Sequence, residues 1–283
     1  MLCARKEMIM NNYRKEQEAI ISIQNTIFPI LCDIDVFCKE RGIRYFLCAG
    51  SCLGAIRHNG FIPWDYDADV MFPREDYERF LMEYSACTDR KYEIGALEID
   101  KNWKRQFGRV WDKKTVLKHK NLNDIEVGAC VDLFPIDGFT DNSFLATINL
   151  MHMRLLEILA FNVEKKRFHE RERFIALKKL LQFVLKPFGW RFFSDRMNRL
   201  AQKYPFNSSK RAGVWIDPGY GRKEIMDKSV FDNSIDVFFN GAKLPVPVEY
   251  DKYLTSLYGD YMSVPEGSME HCYMQIDDWE LEF

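Results

Sequence analysis

Apolar residues near the start of the chain recur every three or four positions: Ile20, Ile23, Ile27, Ile30, Leu31, Ile34 and Phe37. That spacing gathers them on one face of a helix over residues 14–41, with Gly42 placed to end it. The period then shortens. IRYFLCAG reads as a buried strand, SCLGAIRHNG as a short helix starting behind Gly50, and ADVMF as a second buried strand that Pro73 stops. REDYERFLMEY resumes as a helix. Between residues 91 and 134 the runs KYEIGALEI, QFGRVWD, TVLKHK and ACVDLFPID read as short strands. Residues 142–203 change to long amphipathic helices, broken near Pro187-Phe188-Gly189. Past residue 213 strands and turns return. VFFNGAKLPVPV carries an Asn-Gly hairpin signal, and EYDKYLTSLYG is a closing helix.

These elements predict an α/β (α+β) fold: a mixed sheet with flanking helices and a helical insert. Residues 1–140 form a catalytic core, 141–212 a basic helical insert or lobe, and 213–283 strands and a helix that return to the core. Hydrophobic residues at 47% and charged residues at 29% of 283 are globular proportions, which excludes a disordered chain. The net charge of −2 conceals a division. Between Leu150 and Arg211 there are 15 Lys/Arg against 5 Asp/Glu, so the remainder stands at −12. None of the 8 cysteines forms a CxxC pair, and Cys48 and Cys130 sit in apolar runs as small buried thiols. The N-terminus shows a charged helix rather than a secretory apolar core. FLATINLMHMRLLEILAFNV, interrupted by His152, Arg154 and Glu157, is not expected to span a membrane. A cytoplasmic location is the expectation.

The chemistry concentrates in FIPWDYDADVMF, where Asp65, Asp67 and Asp69 fall at alternate positions. On a strand such residues share a face, and carboxylates held together repel unless something compensates them. A hard divalent cation, Mg²⁺ or Mn²⁺, takes oxygen ligands and commonly one or two carboxylates plus substrate phosphates. Asp67 and Asp69 are the expected pair, with Asp132 of ACVDLF supplying a third acid from a neighbouring strand. A lone Asp in such a buried run is costly unless it is paired or binds metal. The ordinary alternative is that the acids cap turns or form salt bridges. Gly50 and Ser51, at the start of a helix, are placed to position phosphate oxygens. Arg57, His58 and Arg109 are candidates for phosphate contact, against a surface salt bridge, a structural histidine and a strand-end ion pair respectively. Trp64 either stacks on a base or packs under its loop. Asp65 is a supporting acid, and Asp137 is either another or a turn former.

AGSCLGAIRHNGFIPWDYDADVMFPREDYERF resembles the signature of the LicD family, the phosphocholine-transferase group that includes the fukutin-related proteins. VDLFPIDGF, with Asp132, resembles that family's second motif. VPVEYDKYLTSLYGDYMSVPEG followed by His271 resembles its C-terminal motif. The matches are collinear over about residues 14–140 and 225–272, and the basic helices do not take part. One departure is Tyr66, where the family often carries an acid. The resemblance implies a nucleotidyltransferase-like fold and metal-dependent transfer of a phospho-alcohol from a CDP-alcohol donor to a glycan or lipid-linked glycan acceptor, releasing CMP. It also implies a site role for His271. The same acids would serve a nucleotidyltransferase that releases pyrophosphate, and a scaffold with a degenerate site would carry some of them.

In RFIALKKLLQFVLKPFGWRFF an apolar face of Phe174, Leu177, Leu181, Val184, Leu185 and Phe188 meets Lys178, Lys179 and Lys186. The ordinary expectation is a helix packed on the core. The sharper reading is peripheral membrane contact through residues 150–211. Nucleic acid is not expected as a partner, because no recognition module is visible.

Overall fold

A computed structural model describes residues 2–88, 90–119, 127–166, 168, 173–264 and 279–282. Helix α1 (Leu2–Arg41) buries Ile20, Ile23, Ile27, Ile30, Leu31, Ile34 and Phe37, each at 5% exposure or less. This is the stripe that the spacing predicts, and each such side chain contributes about 1.5–3 kcal/mol on burial. Gly42, at φ 62°, ends the helix in the left-handed conformation that glycine adopts without strain. Next come β1 (Phe46–Leu47), α2 (Ala49–His58), β2 (Ala68–Pro73) and α3 (Arg74–Ser85). The strands β3 (Tyr92–Gly95), β4 (Gly108–Asp112), β5 (Val116–His119) and β6 (Cys130–Phe139) follow, then the helices α4 (Ser143–Glu164), α5 (Ile175–Leu185) and α6 (Gly189–Ala201). The chain continues through β7 (Arg211–Gly213), β8 (Met226–Asp227), β9 (Ser234–Phe239), β10 (Ala242–Pro247), α7 (Tyr250–Tyr258) and β11 (Trp279–Glu282).

The central sheet runs β1-β2-β6-β4-β3, and its far end continues from β6 into β7 and β8. β2 and β6 are parallel, while β1, β4 and β7 pair antiparallel with their neighbours, giving the mixed sheet. Pro135 lies inside the central strand β6 without breaking it. It stands in register beside Phe72 of β2, while on the other edge pairing with β4 stops at Leu133 and pairing with β7 starts at Asp137. β9 and β10 form the hairpin, with Asn240 at φ 48° and Gly241 at φ 90° in the turn that Asn-Gly favours. β5 pairs with β11 in a separate ribbon.

Among the described residues three apolar clusters make up the interior, the smallest being Leu97, Trp103, Val127 and Cys130; the other two carry most of it. The larger joins α1, the sheet, α3 and α7; the smaller joins α4 and α6 through Met153, Leu156, Trp190 and Met197 to Trp215. Cys48 and Cys130 are buried as expected. The helix α5 departs from expectation: it buries none of its residues. Leu177 at 62%, Leu180 at 61%, Phe183 at 78% and Val184 at 56% face solvent instead of core. Asp137 also departs from both readings made of it. It is an interior residue of β6, 1% exposed, and Arg74 at the start of α3 grips it through Nε at 2.7 Å and Nη2 at 2.5 Å.

Candidate active site

The backbone of Asp69 is pinned on both sides to the start of α2. The Cys48 N–H donates to the Asp69 carbonyl at 3.1 Å, and the Asp69 N–H donates to Ser51 Oγ at 2.9 Å. Ser51 is buried, so its hydroxyl lies under the acidic strand and does not face the phosphate position expected for it. Along β2 the register places Asp69 directly beside Asp132 of β6, and Asp132 in turn beside Arg109 of β4. Arg109 Nε donates to Asp132 Oδ1 at 2.6 Å and Nη2 to Oδ2 at 3.2 Å. The carboxylate expected as third ligand and the arginine expected on the diphosphate therefore form a fork-to-fork pair with each other.

A cavity of about 480 Å³ opens over this strand. Its lining includes Ala49 and Gly50 from the first turn of α2, Trp64, and all three aspartates Asp65, Asp67 and Asp69. Asp132, Arg109, Ser51 and His58 are not among its walls, while Arg57 is. Arg57 Nη1 donates to the Tyr261 carbonyl at 2.8 Å, and its Nε donates to His58 Nε2 at 2.9 Å. His58 stands edge-on to Trp64 at 6.1 Å. Trp64 both packs against the core and lines the cavity. His271 lies outside the described residues.

The loop carrying Asp65 is clamped from α1, where Gln24 Nε2 donates to the carbonyls of Ile62 at 3.1 Å and Asp65 at 2.7 Å. The same loop lies against α2 at Gly54, where an added Cβ would stand 2.4 Å from the Gly60 carbonyl oxygen. Gly50 gives room to Asp65, whose Oδ2 would be 2.7 Å from a Cβ at that position. Ala49 holds φ at 42°, a strained conformation for a non-glycine residue, and its N–H donates to the Tyr253 hydroxyl of α7 at 3.1 Å.

Electrostatics set the character of the cavity. Asp65, Asp67, Asp69, Asp217, Glu224 and Asp260 line it, against Arg57 as the one basic side chain among its described walls. Burial raises the carboxyls of Asp65, Asp67 and Asp69, and negative neighbours raise them further: Asp67 acts on Asp65 and Asp69, and Asp132 acts on Asp67 and Asp69. Burial also raises Asp217, and it pushes Glu224 up to about 8 with help from the charge of Asp217. Among the described residues no group of three or more His, Cys, Asp or Glu side chains is gathered so that it could hold a metal ion.

The remaining walls were not singled out residue by residue in the sequence, although Tyr258, Asp260 and Tyr261 lie within the C-terminal motif that the resemblance marks. Asp217, Tyr220 and Glu224 come from the segment after β7, and Tyr258, Asp260 and Tyr261 from the end of α7 and beyond. WIDPGYG sets an acid and an aromatic among turn residues, within a stretch that reads only as strands and turns. Tyr220 and Tyr258 pack edge-to-face at 5.5 Å with their hydroxyls 2.7 Å apart, closing one side of the cavity.

Residues 42–158 match the model of the LicD/FKTN/FKRP nucleotidyltransferase domain. Over 244 residues, 83% of this chain and 88% of the relative, the sequence is 29% identical to lipopolysaccharide cholinephosphotransferase LicD of Haemophilus influenzae. A stretch of 38 residues, 13% of this chain and 8% of the relative, is 57% identical to ribitol 5-phosphate transferase FKRP of Homo sapiens.

Proposed function

We propose, from the match of residues 42–158 to the LicD/FKTN/FKRP nucleotidyltransferase domain and the similarity over most of the chain to a cholinephosphotransferase, that the protein is a LicD-type phosphotransferase moving a phospho-alcohol from a CDP-alcohol to a hydroxyl of a glycan or lipid-linked glycan. The observation that carries this reading is the cavity with six carboxyls and one guanidinium among its described walls, built on β2 beside α2. A diphosphate cannot enter so negative a site without a cation, and the donor set is all oxygen, which fits Mg²⁺ or Mn²⁺. Asp67 and Asp69 would hold the ion. Once bound, it supplies charge neutralisation and Lewis acidity at the diphosphate.

The residues of the chain divide the remaining work. The first turn of α2, from Ala49 through Gly50, offers its backbone to phosphate oxygens. Arg57, in the last turn of the same helix, neutralises donor charge. The acceptor oxygen bonds to the phosphorus bearing the alcohol, and the bond from that phosphorus to the bridging oxygen breaks. CMP leaves with the bonding electrons, and the hydroxyl proton passes to a pocket carboxylate. Asp132, engaged by Arg109, acts as a brace beside Asp69 and not as that proton acceptor. Trp64, Tyr220, Tyr258 and Tyr261 line the same cavity as the surplus acids. Aromatic faces and carboxylates together favour a quaternary ammonium, so the alcohol proposed is of the choline type. Free thiols at Cys32, Cys38, Cys48, Cys52, Cys87 and Cys130 support a cytoplasmic setting.

The test is a panel of CDP-choline, CDP-ribitol and CDP-glycerol with Mg²⁺ and a glycan acceptor, following CMP. CMP release that is greatest with CDP-choline and lost in Asp67→Ala and Asp69→Ala is expected. Pyrophosphate release from CTP would replace this reading with nucleotidyl transfer. Turnover that survives both substitutions would reject the metal assignment.

A further inference from the structure

The helix α5 is amphipathic with its apolar side turned outward. Its polar edge holds it to the protein: Gln182 Nε2 donates to the carbonyls of Val163 at 3.3 Å and Lys165 at 2.8 Å, and Asn162 Nδ2 donates to the Lys178 carbonyl at 3.1 Å. At 100° per residue, Leu177, Leu180, Phe183 and Val184 fall on the opposite arc. These four and Phe188, at 50% exposure, form a continuous exposed apolar surface on α5 and the turn after it. Lys179 and Lys186 lie along one margin of that arc, while Lys178 falls beside Gln182 on the side turned to the protein. Flanking lysines of this kind let an in-plane helix sink its apolar arc while the ammonium groups reach the head groups.

Charge identifies the partner. From Arg173 to Ser194 the sequence has five basic residues (Arg173, Lys178, Lys179, Lys186 and Arg191) and no Asp or Glu. Between α5 and the end of α4 lies a cleft of about 580 Å³ whose lining includes Lys165, Lys166, Lys179 and Lys186 beside Phe183, against one carboxylate, Glu164, which Lys104 pairs at 3.7 Å. It places four ammonium groups next to the most exposed apolar side chain of α5, a combination suited to a lipid phosphate whose acyl chains continue along the apolar arc. The outer face of α4 continues the theme, with Phe144 at 71% and Met151 at 68% exposure. Ser143–Glu164 is apolar and long enough to cross a membrane, but its inner face is committed to the protein through Met153, Leu156 and Ala160.

We propose that α5 and its lysine cleft form a docking element that seats the protein on an anionic phospholipid bilayer, apolar arc in the interface and lipid phosphates in the cleft. This goes beyond the transfer reaction and does not depend on it. The experiment is co-sedimentation of the full chain with phosphatidylcholine vesicles, with and without about 30 mol % phosphatidylglycerol, at about 0.05 M and about 0.5 M NaCl. Binding confined to the anionic vesicles and weakened by salt is expected. The pairs Leu180→Glu/Phe183→Glu and Lys179→Glu/Lys186→Glu should each lower the partition coefficient at least about tenfold. Lys179, Leu180 and Phe183 lie on α5 and Lys186 in the turn after it, and neither buries a residue, so the variants should keep the wild-type circular dichroism and melting midpoint. If either pair unfolds, the single changes Phe183→Ser and Lys186→Gln carry the same comparison. The proposal is overturned by wild-type protein that ignores anionic vesicles, by equal binding to neutral ones, or by folded variants that bind like wild type. A wild-type dimer that Leu180→Glu/Phe183→Glu splits would show a second copy, not a membrane, covering this face.

Discussion

Glu224 is the wall residue whose replacement has the most calculable consequence. It is 4% exposed, its Oε2 has no hydrogen-bond partner, and Asp217 adds a negative charge nearby. Burial first and Asp217 second move its carboxyl from 4.5 to about 8, against an opposing hydrogen bond from Tyr253. The raised value means that the folded chain holds a proton that the unfolded chain has released. Stability is therefore full below the unfolded value of 4.5, falls as pH rises toward about 8, and is level beyond it. At about 1.4 kcal/mol for each pH unit crossed, the loss is about 3 kcal/mol at pH 7 and about 5 kcal/mol above pH 8.5. Glu224→Gln has nearly the same shape and no proton to lose. Its advantage over wild type in urea unfolding, with chelator present, should be under about 1 kcal/mol at pH 5 and grow to several kcal/mol at pH 8.5. A difference that stays constant with pH, or that shrinks as pH rises, would refute the reasoning.

Three further outcomes follow from the same geometry. Asp137→Ala leaves the buried Arg74 guanidinium with only Asn198 at 3.2 Å and Glu98 at 3.7 Å. Unfolding should show a loss of about 3 kcal/mol, which a paired Arg74→Met/Asp137→Leu replacement largely restores. Gly54→Ala drives a methyl against the Gly60 carbonyl, so a loss of about 1–3 kcal/mol should accompany a fall in kcat as the Asp65 loop shifts. Gln24→Leu removes both clamps on that loop. A loss of about 1–2 kcal/mol in thermal unfolding, with kcat falling more than KM rises, is expected, and unchanged kinetics would remove Gln24 from the positioning of Asp65.

The alternation Asp65, Asp67, Asp69 was readable as chemistry, and all three line the cavity, but β2 begins at Ala68, so only Asp69 stands on the strand and the loop before it, not strand period, brings in Asp65 and Asp67. The standing of Asp65 was not readable. Its place among the cavity walls depends on Gly50, on another element, which leaves it room. Asp132 and Arg109 were legible as charged residues in buried strands. That they pair with each other follows only from the register of three strands. The ordinary reading of α5 failed for a related reason: periodicity reports that a helix has an apolar face, not what that face meets.

The sequence by itself determined the elements, the stop signals at Gly42 and Pro73, the Asn-Gly hairpin and the acidic strand. Each of these depends on residues within a few positions of one another. Only the tertiary structure decided the far wall of the site. Asp217, Tyr220, Glu224 and Tyr258 reach Asp69 through a sheet order and a returning helix that no local pattern encodes. It also decided which carboxyls are raised, since desolvation and repulsion depend on what surrounds a group in space and not on its neighbours along the chain.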